Sequence, residues 1–210
     1  MSTIGARSLD GSCGGSDVCF DVSEEGTLTV DFQTDRLRLR SVTSSEGDLD
    51  DYVALFGDPD VMRKYAMGVT RTREEIAERI NSEWVRRWHA NDPYSGLAVS
   101  LKATSEFLGH AMVEHGDAPG QAELAYLFKK NCWCNGYGKE AAGALVNKYA
   151  PATIRAGYTL EGKVLETIEA TARPDNPASV KILEGLRMHR ISEIQKFGAL
   201  RYLYAIDVHI

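Results

Sequence analysis

The chain has 210 residues, 43% hydrophobic and 26% charged, enough for one substantial core and rather short for two. Its net charge of −6 gathers at the front: residues 1–31 hold Asp10, Asp17, Asp21, Glu24, Glu25 and Asp31 against Arg7, so taking −5 from −6 leaves residues 32–210 at −1. A nearly neutral body without a dense Lys/Arg run excludes nucleic acid as the primary partner. No window approaches the ~20 apolar residues that span a bilayer, and the first residues lack the basic region and apolar core of a secretory signal. Residence in the cytoplasm, away from any membrane, is the expectation, and the four cysteines are expected to be reduced there.

Residues 1–31, with "GSCGGSD" and few large apolar groups, read as a loose acidic leader, although "TLTVDF" alternates weakly enough to pack as an added strand. From Thr34 the pattern tightens into a single domain, 32–210. "TDRLRLRSV" sets Leu37 and Leu39 against Arg36, Arg38 and Arg40, a half-buried strand. "DLDDYVALF" and "TREEIAERINSEWVRRWHAN" are two helices: Thr72 and Glu75 form a capping box, and Ile76, Ile80, Trp84 and Trp88 recur every four residues. "SGLAVSLKA", "FLGHAMVEH" and "AELAYLFKK" are three strands of an antiparallel meander. "KEAAGALVNKY" is a helix that Pro151 ends or kinks, "VLETIEATA" a strand, and "NPASVKILEGLRMH" a helix with Asn176 as cap and Pro177 at its first position. "LRYLYAIDVHI" closes an α/β layering around a mixed sheet.

The segment "KKNCWCNGYGKEA" offers two chemistries. A strand, then Gly136-x-Gly138, then a helix is the arrangement in which peptide N–H groups at a helix N-terminus receive an anion. It is no dinucleotide fingerprint, since Ala141 replaces the third glycine, and no Walker loop, since Lys139 is not followed by Ser or Thr. An ordinary tight turn is the competing reading. Cys132 and Cys134 are spaced neither as a Cys-x-x-Cys redox pair nor as half of a zinc site with a matching partner pair. They read as incidental thiols, and no metal is expected.

In context, "WCNGYGKEA" after "AELAYLF", with "TDRLRLR", "GDPDVMRKYA" and "ATARPDNPASVKILEGLRM" in this order, resembles the GCN5-related N-acetyltransferase superfamily, and within it the ribosomal-protein-alanine-acetyltransferase-like branch. The resemblance runs from Thr34 to the C-terminus. It implies a mixed, largely antiparallel sheet with helices on both faces, and acetyl-coenzyme A in a V-shaped opening between the parallel strands "AELAYLF" and "VLETIEATA". It further implies pantetheine pairing near Leu127, Phe128 and Lys129, and a pyrophosphate cradle from Trp133 through Cys134, Asn135, Gly136, Tyr137 and Gly138 to Lys139. Asn176 would contact the pantetheine amides and Ser179 the thioester. The chain departs from the pattern at Trp133, at Cys134 where the branch often has glycine, and at Gly185 and Arg187.

An amine acceptor must lose a proton, the tetrahedral oxyanion needs a donor, and the leaving thiolate benefits from an acid. Glu123 is the leading base, with a salt-bridged strand glutamate as its plainer reading; His110, His115 and Glu169 are further candidates. A peptide N–H near Leu127 is the expected oxyanion donor. Ser179, Tyr126 and Cys134 compete as the acid. The expected activity is direct acetyl transfer to a primary amine, either a protein α-amino group or a small amino compound. The rival is a non-catalytic acyl-coenzyme A-binding module, and an edge strand or the leader could support a homodimer.

Overall fold

The computed structural model describes residues 18–209. Residues 1–17, which hold part of the expected leader, and residue 210 lie outside the described residues. Strands β1 (Cys19–Val22), β2 (Leu28–Gln33) and β3 (Leu37–Ser41) lead into helices α1 (Glu46–Phe56), α2 (Pro59–Met62), α3 (Arg73–Arg79) and α4 (Arg86–His89). Strands β4 (Gly96–Leu101), β5 (Phe107–His115) and β6 (Gln121–Phe128) follow, then α5 (Tyr137–Ala144) and α6 (Ala150–Arg155). The chain closes with β7 (Thr167–Ala172), α7 (Pro177–Gly185), β8 (His189–Lys196) and β9 (Ala199–Asp207). The nine strands form one sheet in the order β1-β2-β3-β4-β5-β6-β7-β9-β8, antiparallel throughout except for β6 against β7.

Two expectations need correction. Residues 19–31 of the expected leader are not loose: β2 pairs with β3 and buries Leu28, Val30 and Phe32, so the weak alternation of "TLTVDF" is a core signal. Cys19 is disulfide-bonded, against the expectation of four reduced thiols. Compartment governs which thiols persist, but reach between sulfurs decides which can pair. The sequence reading also passed over β8, "HRISEIQK", because an exposed edge strand carries no apolar alternation.

The helices divide between two faces. One core cluster joins the sheet to α5, α7 and Trp88; the other joins it to α1 and α3 through Tyr52, Phe56, Ile76, Ile80 and Trp84. The four-residue recurrence from Ile76 to Trp88 splits between these clusters. A π-helical stretch, Ile80–Val85, lies between α3 and α4; its wider turn takes an extra residue and swings Trp88 off the stripe. A second π stretch, Leu145–Tyr149, carries the chain from α5 into α6, so helical structure runs on through Pro151 and does not end there. No helix among the described residues is long and apolar enough to cross a membrane.

Candidate active site

The site begins where the sheet forks. Gln121, Ala122 and Glu123 of β6 pair with Thr167, Ile168 and Glu169 of β7, and past that row the two strands share no further pairs. On its other side β6 stays paired with β5 out to Phe128, opposite Gly109. The phase of the peptide groups follows from three bonds. Gly116 N–H donates to Gln121 C=O and Lys129 N–H to Leu108 C=O, both on the β5 side, whereas Glu166 N–H donates to Gly120 C=O on the β7 side. Odd-numbered peptide groups therefore face β5 and even-numbered ones face β7. Beyond Glu123, the peptide groups of Leu124, Tyr126 and Phe128 look into the fork. Of the peptide groups near Leu127 expected to supply the oxyanion donor, Leu127 N–H itself turns toward β5, and its neighbours at Tyr126 and Phe128 face the opening. Phe128 C=O already accepts from the Trp133 indole N–H at 2.8 Å.

Past β6 the chain makes one 3-10 turn, Lys130–Cys132, and reaches α5 through two left-handed residues, Cys134 (φ 63°) and Gly136 (φ 81°). A Cβ resists this region by roughly 1–2 kcal/mol, so the loop keeps the glycine-like conformation even with cysteine in place. No side chain caps the N-terminus of α5, which leaves its first-turn N–H groups and the positive end of the helix dipole directed outward. Gly138 lets α5 lie close to α7: a Cβ there would stand 3.3 Å from Ile182 Cδ1. Cys132 is buried and Cys134 exposed, and both are free thiols; burial pushes the Cys132 thiol up.

The loop is braced from the residues just before β3. The Glu140 carboxylate accepts from Thr34 Oγ1 at 2.5 Å, Arg36 N–H at 2.9 Å and Arg36 Nε at 2.7 Å, while Arg36 Nη1 donates to Asn135 C=O at 2.9 Å. The Arg36 guanidinium also lies 4.7 Å from the Tyr137 ring centroid. Burial opposes ionisation of Glu140, but its bonds to Thr34 and Arg36 hold it below the usual carboxylate range. Asn135 turns its side chain back onto Cys132 and Trp133 carbonyls, and Lys129 pairs with Asp51 at 3.4 Å. Neither lines the cleft, whereas Leu127, Phe128, Trp133, Cys134, Gly136, Tyr137, Gly138, Lys139 and Asn176 do.

Above the fork, Tyr126 and Ser179 meet. Tyr126 Oη lies 3.0 Å from Ser179 Oγ. Asn176 Oδ1 caps α7 by accepting from Ser179 N–H at 3.4 Å, which fixes the serine at the helix start. Burial pushes the Tyr126 phenol up to about 12 against the pull of its Ser179 bond, so the pair holds its protons at neutral pH.

On the opposite face of the fork, Glu114 and Glu123 line the same cleft of about 1120 Å³. Glu123 stands beside Glu114 across the antiparallel pair and beside Glu169 across the parallel one, where Glu169 and Lys196 line a separate pocket of about 210 Å³. Glu123 Oε2 is 2.7 Å from Lys196 Nζ. Burial raises Glu169, assisted by Asp117 and Glu123; burial also raises Glu114, against the pull of Arg87 at 3.1 Å. Tyr65, whose phenol burial pushes up to about 12, Arg79 and Trp84 complete the wall. The histidines fall elsewhere. His110 is fully buried between Tyr52 and Trp84, with Nδ1 2.8 Å from Tyr52 Oη, and burial lowers it to about 3. His115 pairs with Asp92 at 2.7 Å, outside the cleft. Sequence reasoning missed Arg36, Glu140 and Lys196, since their partners lie 73 or more residues away along the chain and leave no local pattern.

A forked mixed sheet, with free peptide groups on one prong and an uncapped, glycine-led helix at its mouth, defines a binding site for an extended, anionic, peptide-like ligand. The chain belongs to the GNAT acetyltransferase family: residues 36–189 match the model described as "Acetyltransferase (GNAT) domain". It falls in the RimJ/RimL-like part of that family, whose enzymes use acetyl-coenzyme A. It is 30% identical over 170 residues to the uncharacterized protein YkkB of Bacillus subtilis, covering 79% of this chain and 88% of that one. In fold it is similar to a GNAT-family acetyltransferase from Bacillus anthracis (TM-score 0.67, 21% identity, 84% of this chain and 98% of that one). It is also similar to RimL, a ribosomal L7/L12 α-N-protein acetyltransferase solved with coenzyme A in a disulfide with one of its cysteines (TM-score 0.65, 15% identity, 83% and 96%).

Proposed function

We propose that this acetyltransferase takes its acetyl group from acetyl-coenzyme A in the fork and passes it directly to a primary amine presented from the Glu123 side. The observation that carries this reading is the row of peptide groups at Leu124, Tyr126 and Phe128 that faces the fork, with only the Phe128 C=O taken by Trp133, together with the uncapped N-terminus of α5. An extended pantetheine arm with its two amides suits the first, and a pyrophosphate suits the second. Peptide groups from Cys134 to Lys139 would hold the phosphates, and Asn176 would stand beside the arm. Acetyl-coenzyme A supplies the acetyl group as a thioester, activated toward amines.

This chain's residues divide the remaining work. Glu123 accepts the ammonium proton that the acceptor must lose. The Tyr126 and Phe128 N–H groups face the place where oxyanion charge develops. Tyr126, protonated at neutral pH and bonded to Ser179, delivers a proton to the leaving sulfur. The Glu114 and Glu123 carboxylates and the Tyr65 ring suit a cationic acceptor, and both a peptide α-amine and a small amino compound meet that description.

The test is thiol release over a panel of peptide and small amines. Turnover is expected with at least one class, with Glu123→Gln and Tyr126→Phe each lowering kcat by about 10²–10⁴-fold and Ser179→Ala by less. The Glu123–Lys196 pair favours a second reading, a non-catalytic acyl-coenzyme A binder, because a carboxylate already holding an ammonium is not free to accept a proton. Stabilisation by coenzyme A with no turnover on any amine would select that reading.

A further inference from the structure

The β8–β9 hairpin turns on Phe197 and Gly198, both at positive φ (55° and 71°), and Lys196 is the last strand residue before it. Arg201, only 4% exposed, fixes this tip. Its Nε donates to Lys196 C=O at 3.3 Å, its guanidinium lies 5.1 Å from the Phe197 ring centroid, and its Nη2 donates to Ala66 C=O, between α2 and α3, at 2.7 Å. From that anchored backbone the Lys196 side chain reaches Glu123, although β7 and β9 separate β8 from β6 in the sheet. A surface lysine gains little from such a reach. Here the ammonium lies on the carboxylate at the last paired row before the fork opens.

A lysine side chain is a primary amine on a four-carbon stem, the functional group that the acceptor must carry. We propose that Lys196 is itself an acceptor: a self-acetylation site that fills the acceptor-ammonium position at Glu123. The inference rests on the acetyl-transfer reading above. In the step, Glu123 takes one proton from the Nζ ammonium, and the freed lone pair forms an N–C bond to the thioester carbonyl carbon. The C–S bond breaks, with its electron pair leaving on sulfur. The second nitrogen proton ends on that sulfur by way of the Tyr126–Ser179 pair, which gives the amide and free coenzyme A thiol with no oxidant or reductant. Holding the nucleophile on an anchored hairpin against the base on β6 removes the entropic cost of bringing an amine in from solution. Acetylated Lys196 is neutral and no longer pairs with Glu123, so the carboxylate opens to external amines.

The experiment incubates the full chain with isotopically labelled acetyl-coenzyme A and no added amine, following each lysine by peptide mass spectrometry. Label is expected on Lys196 approaching one acetyl per chain, at a rate independent of protein concentration. That rate should be at least about tenfold faster than at the exposed Lys102 and Lys148, and Glu123→Gln should slow it by about tenfold or more. If Lys196 is labelled no faster than those two while thiol release to an amine panel proceeds, the self-acetylation proposal falls and the acetyl-transfer reading stands. If neither labelling nor thiol release occurs, both fall. A second readout needs no turnover: with plain coenzyme A present, calorimetry should find propylamine binding about tenfold tighter to Lys196→Met than to the native chain. Equal affinities would overturn the claim that Lys196 fills the ammonium site.

Discussion

Acid should destabilise this protein through His110 from about pH 6.5 downward. The ring lies wholly buried between Tyr52 and Trp84. Met112 Sδ, 3.3 Å from His110 Nε2, can only accept, which puts the neutral imidazole's proton on Nε2 and leaves Nδ1 to accept from the Tyr52 phenol at 2.8 Å. Burial, with a smaller push from Arg79, lowers the folded imidazole to about 3, against about 6.5 in the unfolded chain. Because the folded value is the lower one, the unfolded state binds the extra proton between those limits. The stability is complete above about pH 6.5 and falls as pH drops toward 3, at ~1.36 kcal/mol per pH unit. From pH 6.5 to 5.0 that is about 2 kcal/mol. Urea unfolding at pH 7.5, 6.5, 5.5 and 5.0 measures it, with a Tyr52→Phe/His110→Leu double variant that removes the titrating ring and its donor together. The native chain should lose about 2 kcal/mol more than the double variant over that interval. A gap between the two that stays constant with pH would refute the argument, and an activity profile rising through pH 6.5 only in the native chain would return His110 to the list of bases.

Arg36→Ala should loosen the Trp133–Lys139 loop, proposed above to hold the phosphates, without touching the fork: coenzyme A affinity, read by calorimetry, should fall by roughly 3–10-fold, about the worth of one charge-assisted bond. Cys134→Gly removes a left-handed Cβ penalty of ~1–2 kcal/mol but adds unfolded-chain freedom worth about 0.4–1. The net gain of about 0.5–1 kcal/mol should raise Tm by roughly 1–4 °C in calorimetry. The buried Asp48 carboxylate accepts from Thr43 N–H at 2.7 Å, from Thr43 Oγ1 at 2.8 Å and from Arg40. Burial opposes its ionisation, yet these bonds hold it below the usual range, so its contribution is present above about pH 4 and disappears as pH falls further. Asp48→Ala should cost roughly 3 kcal/mol at pH 7 in urea unfolding, and an equal cost at pH 3 would contradict that assignment.

Local chemistry carried most of the elements. The capping box at Thr72 and Glu75, the Asn176 cap before Pro177 and the alternation in "TDRLRLR" each depend on neighbours a few residues apart, and each is present in the fold. The order of motifs also sufficed to name the family. What the sequence could not carry is phase and partnership. Whether Leu127 or its neighbours aim an N–H into the fork depends on which β6 residues bond to β5, a property of register across strands. Glu123 reads equally as base or ion-pair member until Lys196 arrives from a hairpin two strands away. His110 is a plausible base in a string of letters and a neutral core ring once Tyr52 and Trp84 enclose it. Sequence by itself determined which residues could supply protons, charges and turns; tertiary structure decided which of them meet, because burial and ion pairing are set by contacts that chain distance does not encode.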